Sequence, residues 1–182
     1  GRYPWPNEVI GLLRERNLPT VQGTEDRAAA RFLRSSERIM RKIPEDVRRG
    51  LEWTHAHTAS VNLEWLGTLP RERRFTIEEI DILLCHGAPT GTKERLTAET
   101  VSEVFERQRE VANARLILCG GSDTPFARRV EDTLFVCPGA AGGAAGARFA
   151  IVDTESEPWT AVFHEAPYDT GFVQQRAEEA GL

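Results

Sequence analysis

The stretch LILCGGSDTPF, residues 116–126, decides the reading of this chain. Its apolar head runs as a buried strand straight into a polar turn built on Gly120 and Gly121. Loops at the ends of buried parallel strands are where α/β proteins usually carry their chemistry. This turn offers one hydroxyl, Ser122, and one carboxylate, Asp123.

The same arrangement recurs twice upstream. IDILLC at 80–85 is an apolar run ending in His86-Gly87-Ala88-Pro89, and LPTVQ at 18–22 reads as a short strand ending in Gly23-Thr24-Glu25-Asp26. Helical patterns surround them. Residues 7–16 carry apolar side chains at 9, 10, 12 and 13, with Asn7 in capping position; 27–40 has helical periodicity, and Pro44-Glu45-Asp46 opens another helix. Residues 27–67 thus form a helical block. Beyond it, 99–109 reads as a helix, 114–119 and 133–137 as strands, 148–153 and 159–164 as a late strand pair, and 169–180 as a closing helix. Strands alternating with helices give an α/β class, and the final strands without helices between them predict antiparallel addition or a second sheet. The small-residue run at 139–146 reads as a flexible loop.

Composition sets the outer bounds. A chain of 182 residues suits a single domain over 1–182. Its 40% apolar and 28% charged content is that of a soluble globular protein, and no run of about 18 apolar residues could span a membrane. A formal charge of −5 argues against nucleic acid as a partner. Arg31, Arg34, Arg38, Arg41, Lys42, Arg48 and Arg49 are a local exception, but interleaved acids and helical spacing make them a solvated helix face. Cys85, Cys119 and Cys137 lie in or at the ends of apolar runs without CxxC spacing, which fits a reducing cytoplasm. The abrupt start GRYPWPNEVI is neither a signal nor a transit peptide.

If the three polar loops converge, Glu25, Asp26, His86 and Asp123 are the available oxygen and nitrogen ligands. The order of these motifs resembles the calcineurin-like metallophosphoesterases, in particular their small bacterial phosphodiesterase branch. That family's loops run Asp-x-His, Gly-Asp, Gly-Asn-His-Asp, a histidine before glycine, Gly-His-Thr-His and Asn-Pro-Gly-Ser. Here Gly23-Thr24-Glu25-Asp26 is similar to the third, His86-Gly87 to the fourth, Gly120-Gly121-Ser122-Asp123 to the fifth and Cys137-Pro138-Gly139-Ala140 to the last. The flanks PNEVI at 6–10, NLEWLGTLP at 62–70, TPF at 124–126 and PYD at 167–169 support this registration.

The resemblance implies an αββα sandwich of two β-sheets flanked by helices, lacking the first strands, with a helical insertion at about 27–67. It also implies a companion N-terminal segment or a protein partner, since a sheet without its first strand exposes hydrogen-bonding edges. The departures from the family pattern concern the metals. Thr24 stands for the asparagine ligand, Glu25 for a catalytic histidine, and Gly121 and Asp123 for the two histidines of the fifth loop. His86 is unchanged and Asp26 remains as a loop-orienting carboxylate. On this resemblance Glu25 and Asp26 are the catalytic candidates, and His86, Asp123 and Thr24 the candidate ligands of a divalent metal (Mn, Ni, Zn, Mg or Fe), with none bound if the site is lost.

Other residues carry weaker signals. His55-Ala56-His57 could be two zinc ligands, but on a helix i and i+2 point apart. Cys85 and His86 could be a catalytic couple, but neighbours along a strand face opposite ways. Cys137 is either exposed and oxidisable or a small buried residue before a turn. Arg128 and Arg129 either face a phosphate or belong to a solvated hairpin. Trp53, Leu63, Trp65 and Leu66 read as packing of the helical block. Two functions follow: a degenerate phosphoesterase-fold protein, weak or inactive, that binds a phosphorylated small molecule or a partner, or an active metal-dependent phosphohydrolase with a rebuilt site. A structural subunit is a third.

Overall fold

The computed structural model describes residues 4–34, 43–142, 146–155 and 157–182. Arg38, Arg41 and Lys42, the end of the expected 27–40 helix and the middle of the 139–146 run lie outside the described residues. The chain divides into two compact units, residues 1–70 with 171–182, and residues 71–170.

The first unit is helical: α1 (Pro6–Glu15), α2 (Thr24–Ala30), a short 3-10 turn (Phe32–Arg34), α3 (Glu45–His57), α4 (Ser60–Thr68) and the terminal α6 (Thr170–Glu179). Pro6 occupies the first helical position of α1, where its missing N–H costs nothing, and Trp5 is the N-cap. Asn7 therefore does not cap its own helix as the sequence suggested. Its Oδ1 accepts from the Ala59 N–H at 2.8 Å and its Nδ2 donates to the His57 carbonyl at 2.8 Å, so it pins the α3–α4 junction. Ile10, Leu66 and Leu69 are the buried centre of this unit, with Ala30 and Trp65 against them.

Two expectations fail here. Residues 18–22 form no strand, because a strand needs a ladder and among the described residues their backbone bonds are two isolated ones, Leu18 N–H to the Leu13 carbonyl at 3.1 Å and Gln22 N–H to the Pro70 carbonyl at 2.7 Å. The helix expected from residue 27 starts earlier, at Thr24, and its C-cap at Arg31 has already left helical geometry.

The second unit is layered. Strands β1 (Glu72–Ile77), β2 (Ile80–Cys85), β3 (Leu116–Leu118), β4 (Phe126–Val130) and β5 (Thr133–Cys137) form one sheet in the order β1-β2-β3-β5-β4. β2, β3 and β5 are parallel neighbours, and β1 and β4 close the two edges antiparallel. The helix α5 (Ser102–Ala112) links β2 to β3, as a parallel connection requires. β6 (Ala147–Asp153) and β7 (Thr160–Ala166) pair antiparallel as a second sheet, as the late strand pair predicted.

Side-chain alternation explains the layers. Leu83, Cys85, Ile117, Cys119, Phe135 and Cys137 point to one face, against Phe105 and Ala112 of α5. Ile80, Ile82, Leu116, Leu134 and Val136 point to the other, against Trp159 and, from β6 and β7, Ala150, Val152 and Ala161. Phe105 anchors the first layer through edge-on contacts to Phe126 and Phe135, with centroids 5.9 and 5.1 Å away. Full burial of such a side chain contributes about 1.5–3 kcal/mol. The fold is therefore mixed α/β with a central sheet covered by a helix on one face and a second sheet on the other.

Candidate metal and phosphate site

Three loops of the second unit meet at the C-terminal ends of the parallel strands. His86 follows β2 and is half-buried, and its carbonyl lies where a Cβ on Gly120 would approach to 2.8 Å. The His86 loop and the GGSD loop therefore touch backbone to backbone, and only glycine fits between them. Gly121 has a φ of +79°, which turns the chain toward Ser122 and Asp123. Gly139, with a φ of +85°, packs equally close, since a Cβ there would stand 3.0 Å from the Asp123 carbonyl. Ala140 N–H donates to that carbonyl at 3.3 Å.

The loop after His86 is held from behind. A Cβ on Gly87 would meet the carbonyls of Glu94, Thr92 and Gly91 at 2.6, 2.8 and 2.9 Å, so residues 88–94 wrap around that glycine. Gln108, fully buried on α5, fixes the wrap: its Oε1 accepts from the Thr90 N–H at 3.0 Å and its Nε2 donates to the Thr90 hydroxyl at 2.9 Å. That hydroxyl donates to the Glu94 carboxylate, which also accepts from Arg107 at 2.9 Å. The Thr90 hydrogen bond, helped by Gln108 and Arg107, holds the Glu94 carboxyl below the usual carboxylate range.

Cations border the site. Arg148 on β6 donates from Nη1 to the Asp123 carbonyl at 2.9 Å and from Nε to Glu165 at 3.3 Å. The Arg95 side chain passes beside Gly121, with Cγ 3.7 Å from where a Cβ would stand. Arg95 is exposed and has no ion-pair partner among the described residues. Neither the His86 ring nor the exposed Asp123 carboxylate has a hydrogen bond there. The sequence singled out His86 and Asp123 but missed Arg95, Arg148, Thr90 and Gln108. Arg148 lies beyond the glycine-alanine run and Gln108 on a helix, so no local motif marks them.

Of the other residues the sequence singled out, Thr24, Glu25, Asp26, His55 and His57 belong to the first unit, and Arg128 and Arg129 to the second. Thr24, Glu25 and Asp26 form the first turn of α2 rather than a strand-end loop. Asp26 Oδ2 accepts from the Gly23 N–H at 2.8 Å, a capping bond that also suits the positive end of the helix. Glu25 lines a groove of about 750 Å³ with Asp46, Arg49 and Glu178. His55 and His57 sit in the last turn of α3, each bonded through Nδ1 to a carbonyl, of Ala29 and Trp53 respectively. Arg128 reaches Ser102 and the face of Phe105, and Arg129 the Trp159 carbonyl.

Among the described residues no group of three or more His, Cys, Asp or Glu side chains is arranged to hold an ion. His86 and Asp123 alone cannot supply the ligands that a pair of divalent ions requires.

Comparisons with known proteins agree with this architecture. The calcineurin-like phosphoesterase superfamily domain matches residues 5–157. No curated protein matches the sequence. A hypothetical protein from Pyrococcus horikoshii superposes with a TM-score of 0.84 at 22% identity, covering 100% of this chain and 77% of its own. A metallophosphoesterase from Sphaerobacter thermophilus superposes with a TM-score of 0.77 at 21% identity, covering 100% of this chain and 80% of its own. At these identities the likeness is one of fold. With the domain matched over most of its length, this chain belongs to the calcineurin-like phosphoesterase superfamily.

Proposed function

We propose that this protein is a degenerate member of its superfamily that binds a phosphorylated ligand at the strand-end loops of the second unit and does not hydrolyse it. The observation supporting this is the donor set: one imidazole, His86, and one carboxylate, Asp123, stand where the family pattern has several ligands. What remains suits recognition. Arg95 offers a free guanidinium fork to phosphoryl oxygens, His86 a ring nitrogen, and Arg148 adds positive charge behind Asp123.

Divalent metal, in this reading, is not a resident cofactor of the described residues, and Glu25 and Asp26 serve the start of α2 instead of catalysis. The match over 5–157 runs through both units, which supports treating 1–182 as one phosphoesterase-type domain. The described part of the second sheet has only β6 and β7, with Phe149, Ile151 and Val162 exposed, and we propose that a further segment or partner chain covers it. Three free buried thiols fit a reducing compartment, and among the described residues no helix is long and apolar enough to cross a membrane.

The test is turnover of a chromogenic phosphodiester and a phosphomonoester with Mn, Ni, Zn, Mg or Fe supplied, alongside calorimetric binding of nucleoside monophosphates as probes. Binding weakened by Arg95→Ala without turnover is the expected outcome. Metal-dependent turnover abolished by His86→Ala would instead establish the phosphohydrolase reading.

A further inference from the structure

We infer that β7 is a docking edge for a second copy of this chain, which deepens the reading above that something beyond β6 and β7 covers the second sheet. The two β7 strands pair antiparallel about a two-fold axis and join the hairpins into one sheet. The phase of the hairpin shows which backbone groups are open. Arg148 N–H donates away from β7, to the Ala140 carbonyl at 3.3 Å, so Arg148, Ala150 and Val152 turn their backbone groups off the ladder. Their register partners Glu165, Phe163 and Ala161 do the same on the far side of β7. Among the described residues no backbone bond reaches those three from another segment, and β7 is exposed along nearly its whole length. On β6 the bond to Ala140 already occupies the start of the outward edge, which leaves β7 as the open one.

The edges of the larger sheet are defended, and β7 is not. β1 carries Arg73 and Arg74, and β4 carries Arg128 and Arg129, charges that resist further pairing. β7 has no proline, lysine or arginine, and its one carboxylate, Glu165, is taken up by Arg148 Nε at 3.3 Å. The outer face of the hairpin is apolar as well. Alternation places Phe149, Ile151, Val162 and His164 on it; the first three are exposed, and the His164 ring stacks on Phe149 with centroids 5.1 Å apart.

One register makes the strand complementary to itself. With the axis at Phe163, that residue faces Phe163 of the second copy, Ala161 faces Glu165 of the second copy and Val162 faces His164 of the second copy, so the whole strand is paired. The open N–H and carbonyl groups at 161, 163 and 165 then meet open groups at every position, and no like charges stand opposite. An axis at Glu165 would oppose two carboxylates, and one at Ala161 would leave Phe163 to Ala166 beyond the ladder. A two-fold axis perpendicular to the sheet keeps both outer faces on the same side, so the two apolar patches merge into one. A hydrophobic face spread over several strands is what a lone two-stranded hairpin lacks.

The test is analytical ultracentrifugation of the whole protein and of edge variants, with the mass of two chains expected at micromolar concentration. Ala161→Pro deletes an outward N–H without touching the β6–β7 ladder and should weaken the dimer at least about tenfold. Phe163→Cys sets two thiols on facing residues whose Cα atoms stand about 5.5 Å apart, inside the roughly 4.4–6.8 Å that a disulfide accepts. Air oxidation should therefore link its chains in pairs, reversibly with dithiothreitol. Ile151→Cys, on β6 and separated from its copy by three strand spacings of about 4.8 Å each, should not link. A dimer that Ala161→Pro leaves intact and Phe163→Cys does not link would overturn the proposal, and the linking result decides it even if Ala161→Pro fails to fold. A monomer would also overturn it, and amide exchange then separates the two readings. Protected amides at 161, 163 and 165 in a monomer would keep a covered second sheet and exclude the second copy; freely exchanging ones would exclude both.

Discussion

The start of α2 and the ends of β2 and β3 both carry polar, glycine-led motifs that the sequence marked as candidate site loops, yet they are built on opposite principles. At α2 the carboxylate of Asp26 already has a backbone partner, the Gly23 N–H, and Thr24, Glu25 and Asp26 form the first turn of a helix. At the strand ends the backbone is self-sufficient: His86, Gly120 and Gly139 pack against neighbouring loops, and the side chains of His86 and Asp123 are left free of hydrogen bonds among the described residues. A retained acidic residue is thus no guide to chemistry until its partner is known. Free side chains on a backbone-locked loop are the better mark of a binding surface.

The largest expected effect tests the locking. Gly87→Ala pushes a Cβ into three carbonyls and should cost about 3 kcal/mol, the upper range for overpacking. Gly91→Ala, in the same loop with open space around it, should be close to neutral. Urea melts of the two variants compare them, and equal midpoints would break the contrast.

Removing the prop behind the loop comes next. Gln108→Ala removes the partner of the Thr90 N–H and hydroxyl and leaves a cavity where the buried Gln108 side chain stood, and should destabilise the second unit by about 2 kcal/mol. Nucleoside monophosphate binding should weaken in parallel, as calorimetry on the folded variant would show. Asp26→Ala should have a smaller effect, about 1 kcal/mol from the lost capping bond. Its decisive feature is that ligand binding stays unchanged; a large loss of binding would return Asp26 to the site.

The smallest effect is a pH dependence. Because the folded Glu94 carboxyl sits below its ordinary value, its contribution is fully present above the unfolded pKa, about 4.3. It is lost as pH falls through the depressed value. Amide exchange of residues 88–94 should therefore quicken, relative to its intrinsic rate, on acidification below that range. Glu94→Gln should remove the dependence.

Much of this was legible in the sequence. The apolar runs at 80–85 and 133–137 became β2 and β5 with the same bounds, because continuous apolar runs between polar turns have few other solutions. The edge strand β1 was not legible: its charged sequence Glu72-Arg73-Arg74-Phe75-Thr76-Ile77 is what an exposed edge carries to resist further pairing, and it masks the period. Its hairpin turn uses Glu78 and Glu79 at positive φ, where glycine or asparagine would have announced it. The strand read into 18–22 failed because β-branched and apolar content says nothing about a ladder partner. At the candidate site, the loop motifs singled out His86 and Asp123. Arg95, Arg148 and Gln108 come to that site only through tertiary packing, which leaves no local spacing to read.

The measurement that tests the account most directly is calorimetric titration of chelator-treated protein with Mn, repeated with Zn and Ni. The proposed reading, a site without a full set of metal ligands, predicts no binding in the micromolar range or tighter, with His86→Ala indistinguishable from the parent. Two tightly bound ions per chain, lost on substituting His86 or Asp123, would contradict it.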